Sequence, residues 1–226
     1  TATLEEVRDV RSLWTGPPVT VLDGVNASER AFKQSAPGRR VLHLATHGFF
    51  LGEQCGPASG APRAAATSGA SSPTRVSPGT ADNPLLLSGL ALAGANHRAD
   101  AGPTDEDGIL TAEEVTSLNL DGVEWAVLSA CDTGLGQVKV GEGVFGLRRA
   151  FQVAGVHTVI MSLWSVEDES TREWMTALYD GRLKKKLTTA EAVHRATLTV
   201  LRDRRAAGQS THPFYWGGFV AAGDWR

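Results

Sequence analysis

The chain has 226 residues and a mass of 23.9 kDa, enough for one sizeable domain. Hydrophobic residues make up 42% and charged residues 21%, the balance of an ordinary globular protein. The formal net charge of -3, from 22 Lys and Arg against 25 Asp and Glu, argues against a broad phosphate-binding face, so nucleic acid is not an expected partner. No stretch approaches the roughly 18 apolar residues that a membrane-spanning helix requires, so no membrane partner is expected either. The two cysteines, Cys55 and Cys131, cannot form a disulfide framework or a four-cysteine zinc site. A reducing, cytoplasmic setting follows for a free thiol.

Thr1-Ala2-Thr3-Leu4-Glu5-Glu6 has neither a basic start nor an apolar run and does not read as a signal peptide. The first residue is not Met, so the expectation is a piece of a longer, multi-domain protein. Leu4 to Trp14 has the periodicity of an amphipathic helix. Val19 to Leu22 reads as a short apolar strand ended by Asp23-Gly24. Ser28 can cap a helix over Glu29 to Ala36, stopped by Pro37-Gly38. Val41 to Thr46 reads as a buried strand running straight into His47-Gly48.

Residues 52 to 83 stand apart, because 24 of these 32 residues are Gly, Ala, Ser, Pro or Thr. Such a segment cannot bury enough apolar surface to offset its ordering entropy, and it reads as a long flexible surface insertion. It is a tolerated insertion without a role, a lid, or a strand that a protease nicks, with Arg63 and Arg75 as the cut points for a basic-specific protease.

Thr111-Ala112-Glu113-Glu114 is a capping box before a short helix. Trp125 to Ala130 reads as a second buried strand that runs into Cys131. Val144 to Ala154 is a helix closed by Gly155, and Val156 to Leu163 a third apolar strand. Ser170 to Tyr179 is helical, and Thr188 with Glu191 caps a long helix toward Arg205. Phe214 to Ala221 reads as a last strand. Near-continuous apolar strands separated by helices imply a mostly parallel sheet covered on both faces. Ligands of such sheets sit beyond the carboxyl ends of the strands. His47 and Cys131 both fall at that position, after two different strands.

Cys131 ends an apolar run and precedes the turn Asp132-Thr133-Gly134. A small buried hydrophobe and a nucleophile both remain open from this context. An imidazole beside the thiol would raise its thiolate fraction, since an ordinary thiol has a pKa of about 8.5. His47 either merely ends its strand or serves as that imidazole, with the N–H of Gly48 free to meet a developing oxyanion. His43 and His47 are spaced i, i+4, but Leu44 stands where a zincin needs Glu, so no metal is expected. His43 reads as a strand histidine that hydrogen-bonds a neighbour. G-x-x-x-x-G-K-[ST] and G-x-S-x-G are both absent. Lys184-Lys185-Lys186 reads as a solvated surface, and Trp164 and Trp216 as core or pocket wall.

Several strings together resemble CHAT-domain proteins: His43-Leu44-Ala45-Thr46-His47-Gly48-Phe49, Ser88-Gly89-Leu90-Ala91-Leu92-Ala93-Gly94-Ala95-Asn96, Gly108-Ile109-Leu110-Thr111-Ala112-Glu113-Glu114-Val115, Leu128-Ser129-Ala130-Cys131-Asp132-Thr133-Gly134, Gly141-Glu142-Gly143, Ser162-Leu163-Trp164-Ser165-Val166-Glu167-Asp168 and His212-Pro213-Phe214-Tyr215-Trp216-Gly217-Gly218-Phe219. The resemblance runs from about residue 5 to Trp225, and the insertion at 52 to 83 departs from it. It implies a caspase-like fold, a three-layer α/β/α sandwich with a mostly parallel central sheet. It also implies a cysteine endopeptidase without a cofactor, with His47 and Cys131 as a catalytic dyad and the N–H groups of Gly48 and Cys131 as the oxyanion hole. Ser129 and the segment from Trp164 to Asp168 would line the substrate pocket. Asp132, Glu142 and Asp168 would make it acidic, which favours a basic residue before the cut. The partners it implies are a protein substrate and a fused or separate regulatory repeat domain, in bacterial defence or cell death. A catalytically silent or partner-activated module of the same fold is the alternative.

Overall fold

A computed structural model describes residues 2–50, 84–100, 102, 105–129, 142–224 and 226. The insertion at 52 to 83 lies outside the described residues. The central sheet has the order β1-β5-β6-β7, with β1 at Val41–Leu44, β5 at Trp125–Leu128, β6 at Thr158–Ser162 and β7 at Phe219–Gly223. β1, β5 and β6 run parallel, and β7 closes the edge antiparallel to β6.

The near-continuous apolar strands have a simple cause. Every residue of β5 and β6 is buried, whereas β1, at the sheet edge, alternates. Successive side chains of a strand point to opposite faces. Ala126, Leu128, Val159 and Met161 therefore enter one core with Leu42, Leu44, Phe151 and Val115. Trp125, Val127, Ile160 and Phe219 enter the other with Trp174, Met175, Leu178 and Val200. The first face is covered by α2 (Glu29–Ser35), α4 (Ala112–Thr116) and α5 (Glu142–Val153), and the second by α1 (Ala2–Leu13), α6 (Asp168–Tyr179) and α7 (Thr189–Ala206). The architecture is thus helices on both sides of a parallel-dominated sheet, as in caspase-like folds.

The helix caps fall where the sequence puts them. The Ser28 hydroxyl accepts from the N–H of Ala31 at 3.3 Å. Thr111 and Glu114 form a reciprocal capping box, and so do Thr188 and Glu191. Each such cap satisfies amides that the first turn leaves without an intrahelical partner.

Two expectations need correction. Val19 to Leu22 is no strand: it is a non-regular connection in which Val19 is 43% exposed, and four residues without a neighbouring ladder gain nothing from extended pairing. The last strand starts only at Phe219, because Pro213–Tyr215 forms a 3-10 turn capped by His212, whose Nδ1 accepts from the N–H of Phe214 at 3.2 Å. That strand is the antiparallel member of the mostly parallel sheet. A further sheet, which the sequence does not announce, follows β1. This second, antiparallel sheet has the order β2-β3-β4 and is formed by His47–Phe50, Ser88–Ala91 and Ile109–Thr111. The one-turn helix α3 (Pro84–Leu87) leads into β3.

The second sheet is held close to its neighbours at Gly89. A Cβ there would lie 2.7 Å from the carbonyl oxygen of Leu110 and 2.8 Å from the ring of Phe49. Gly89→Ala should destabilise the protein by about 1–3 kcal/mol, because a backbone oxygen cannot move aside. Urea denaturation checks this, with an unchanged midpoint as the contrary result.

Candidate active site

β1 and β5 pair in parallel with Leu44 opposite Leu128. The N–H of Ser129 donates to the carbonyl of Leu44 at 3.0 Å, which carries the pairing one residue past the ladder. The two chains therefore leave the sheet side by side at its carboxyl edge, where α/β proteins bind ligands. His47 stands three residues beyond Leu44, and Cys131 stands three residues beyond Leu128. His47 is exposed and opens β2. Cys131 and Asp132 lie outside the described residues.

The position of His47 is set from two sides. Its register partner across β2 and β3 is Ala91, and the hydroxyl of the preceding Thr46 donates to the carbonyl of Ala91. Gly48 faces Leu90, which is fully buried. Ser129 is buried at 9% exposure, next to the exit of β1.

The remaining pocket candidates come from other elements. Trp164 follows β6, is half-buried and donates its indole N–H to the carbonyl of Phe214 at 3.0 Å. The backbone of Leu163 donates to the carbonyl of Gly218 at 2.8 Å. Trp164 thus joins the segment after β6 to the turn before β7. Arg204 of α7 stacks over the ring of Tyr215 at 3.7 Å and pairs with Glu167 at 3.3 Å, tying the same two segments to α7. Trp216 is half-buried and donates to the carbonyl of Thr211 at 3.0 Å. Asp168 is exposed in the first turn of α6, and Glu142 is the first residue of α5.

His43 behaves as a strand histidine with neighbours. Its Nε2 lies 2.9 Å from Glu6 of α1, and its Nδ1 lies 3.1 Å from the hydroxyl of Tyr179. Glu6 is 5% exposed and Tyr179 1%. Burial, with the Glu6 carboxylate beside it, pushes the Tyr179 hydroxyl far above the usual phenol range, so it stays a donor. This buried trio ties α1 and α6 to the strand that leads to His47.

Two features escaped the sequence reading. One is a cluster of Glu29, Glu106 and Glu114, whose oxygens lie within 4.8 Å of one another. It is filled by the ammonium of Lys33, which lies 2.6, 2.7 and 3.0 Å from them. The other is an open cleft of about 510 Å³ in the helical layer, lined by residues such as Asp9, Arg172, Glu173, Arg195 and Asp203 from α1, α6 and α7. It shares no residue with the strand exits. Burial and the nearby Glu169 and Asp203 push the Glu173 carboxyl above its ordinary value.

The family model described as "CHAT domain" matches residues 1–224. The chain belongs to the CHAT-domain family. CHAT domains are caspase-like, protease-related domains, and the layered fold agrees. Among curated proteins, Tetratricopeptide repeat protein 28 of Homo sapiens is 31% identical over 122 residues, covering 54% of this chain and 5% of that protein. Its counterpart in Mus musculus is 30% identical over 119 residues, covering 51% of this chain and 4% of that protein. This CHAT domain thus matches only a small part of those relatives. Among the described residues, no helix is long and apolar enough to cross a membrane.

Replacing Tyr179 by Phe leaves His43 Nδ1 facing carbon in a buried site. The expected cost is about 1–3 kcal/mol in urea denaturation, the usual penalty for an orphaned buried polar atom. A variant as stable as the parent would show that the trio does not anchor β1.

Proposed function

We propose that this CHAT domain is a cysteine endopeptidase, with residues 1–226 as one peptidase domain and Cys131 and His47 as its dyad. One observation carries the reading. The strands before these two residues are parallel neighbours, and each residue lies three positions beyond the paired Leu44 and Leu128. Exits that start side by side and are equally long in residues favour a contact between sulfur and imidazole.

The chemistry is two-step acyl transfer. The Cys131 thiolate attacks the scissile carbonyl carbon, and the carbonyl electrons move to oxygen. The N–H groups of Gly48 and Cys131 stabilise that oxyanion, at about 3 kcal/mol per donor. As the C–N bond breaks, His47 gives its proton to the leaving amine and leaves a thioester. His47 then takes a proton from water, the hydroxide attacks the thioester, and the thiolate departs. No cofactor is needed for any step.

Specificity follows from the proposed pocket. Ser129 is small, and Asp168 is an exposed acid. With Asp132 and Glu142, the site would favour Arg or Lys before the cut, between Ser129 and the Trp164 wall. The substrate is a protein. The names of the repeat-containing relatives support a fused or separate repeat module as regulator. The proposal includes a cytoplasmic setting and a regulated role in bacterial defence or cell death, which rest on the family resemblance.

Cys131→Ala and His47→Ala should each lower kcat/KM on a cleaved protein by at least about a thousandfold, with the circular dichroism unchanged. Retained cleavage by purified Cys131→Ala would refute the dyad. Fluorogenic peptides that differ only at the residue before the cut should be cleaved after Arg or Lys, and cleavage only after Asp or apolar residues would overturn the pocket assignment. Labelling of Cys131 by a peptide acylating probe only when a partner is added would favour the partner-activated form.

A further inference from the structure

We propose that Glu29 is a positioning residue for the strand that carries His47, acting as a proton-dependent latch between helix α2 and the second sheet. Its effect on turnover rests on the peptidase reading above, whereas the latch rests on the contacts of Glu29 and on the charges around it.

Glu29 is 1% exposed, and its Oε2 accepts from the N–H of Gly108 at 3.1 Å. Gly108 has φ +80°, and a Cβ there would lie 2.3 Å from the amide nitrogen of Ala95, so only glycine fits. The carbonyl of Gly108 accepts from the N–H of Leu92 at 2.7 Å. Leu92 follows Ala91, which faces His47 in register and accepts the hydroxyl of Thr46. One buried carboxyl group thus reaches the backbone that orients His47 through a short run of hydrogen bonds. A second tie joins the same elements, since the N–H of Ala93 donates to the carbonyl of Ala27 at 2.9 Å.

The charges around Glu29 do not balance. Lys33 faces it from its own helix, Glu106 from the segment before β4, and Glu114 from α4. Asp107 is engaged elsewhere, with Arg98 at 2.7 Å. Three carboxylates around one ammonium leave two negative charges in excess. Burial, and then a hydrogen bond with Glu106, push the Glu29 carboxyl up to about 7. Hydrogen bonds with Glu29 and Lys33 hold Glu106 below its ordinary value. For Glu114, burial acts upward but is outweighed by hydrogen bonds with Thr111, Lys33 and Glu29, which hold it low. The shared proton therefore sits on Glu29. Protonated, Glu29 accepts from Gly108 and has a hydroxyl to offer Glu106, whose carboxylate oxygen lies within 4.8 Å. When the proton leaves, that hydroxyl is lost and two carboxylates face each other. The segment bearing Glu106 and Gly108 is then pushed away from α2.

The direction with pH follows from linkage. A carboxyl raised from 4.5 to about 7 on folding contributes stability that is fully present below 4.5 and is lost as pH rises through about 7. Glu106 and Glu114, held low, contribute stability that is present above 4.5 and lost on acidification. The latch is therefore tightest in mild acid.

The test is a pH titration of the full 226-residue chain, read by the amide resonance of Gly108 and by hydrogen exchange at Leu92 corrected for the intrinsic pH dependence. The Gly108 resonance should inflect near pH 7, and protection at Leu92 should fall about tenfold across that inflection. Glu29→Gln keeps a donor and an acceptor, so it should lose the inflection and stay protected throughout. Glu29→Ala should be unprotected even in mild acid. A wild-type Gly108 resonance without an inflection, an inflection that survives in Glu29→Gln, or unchanged protection at Leu92 would each overturn the latch. If the protein cleaves substrate, the alkaline fall of kcat/KM should keep only the limb set by His47 in Glu29→Gln, and a profile identical to the wild type would also count against the latch. Absence of turnover in every form, with the inflection intact, would count against the peptidase reading alone.

Discussion

The in-register parallel pairing of β1 with β5 is the constraint on which the candidate site depends. Parallel neighbours send their chains out of the sheet at the same edge. Leu44 opposite Leu128, continued by the bond from Ser129 to Leu44, fixes those exits to within one residue. A slip of one residue would turn every side chain of a strand to the other face. Leu42 and Leu44 would then leave their core for the face now holding His43, and the burial of β5 on both sides penalises any such shift. Register is thus enforced by the hydrophobic cores, and the relation between the two exits follows from it.

The two faces of the sheet contribute differently. On one face, the buried trio of Glu6, His43 and Tyr179 ties α1 and α6 to β1. Arg172 adds surface ion pairs from α6 to Glu5 and Asp9 of α1. Exposed pairs of this kind contribute little because solvent screens them, so the buried trio and the packing of Val10 and Leu13 hold the helix. On the other face, Leu90 and Leu110 of the second sheet join the core that α2 and α4 share with the central sheet. His47 stands where these two systems meet, at the step from β1 to β2.

Much of the fold was legible in the sequence, for physical reasons. The continuous apolar runs at Trp125 to Leu128 and Thr158 to Ser162 are too short for buried helices and so read as strands covered on both faces. Thr111 with Glu114 and Thr188 with Glu191 announce helix starts through local hydrogen bonds that need no tertiary context. Val19 to Leu22 misled because apolar character alone does not supply a pairing partner. The second sheet was hidden because its strands are short and joined across a long biased insertion, and Ser88-Gly89-Leu90-Ala91 carries no alternating pattern. The candidate site was legible only in outline. Two reactive side chains at matching strand ends can be read directly, and the register that relates them cannot. The carboxylate cluster was invisible for a similar reason: Glu29, Lys33, Glu106 and Glu114 come from three elements, and only the i, i+4 pair of Glu29 and Lys33 shows in the sequence.

The most direct measurement of the central claim is the pH dependence of alkylation at Cys131, read by mass spectrometry of its own peptide in the wild type and in His47→Ala. If the thiol and the imidazole meet, the wild-type cysteine should react with an inflection well below the ordinary thiol value of about 8.5, and His47→Ala should return it to that value. Superimposable profiles with an ordinary inflection in both proteins would contradict the account.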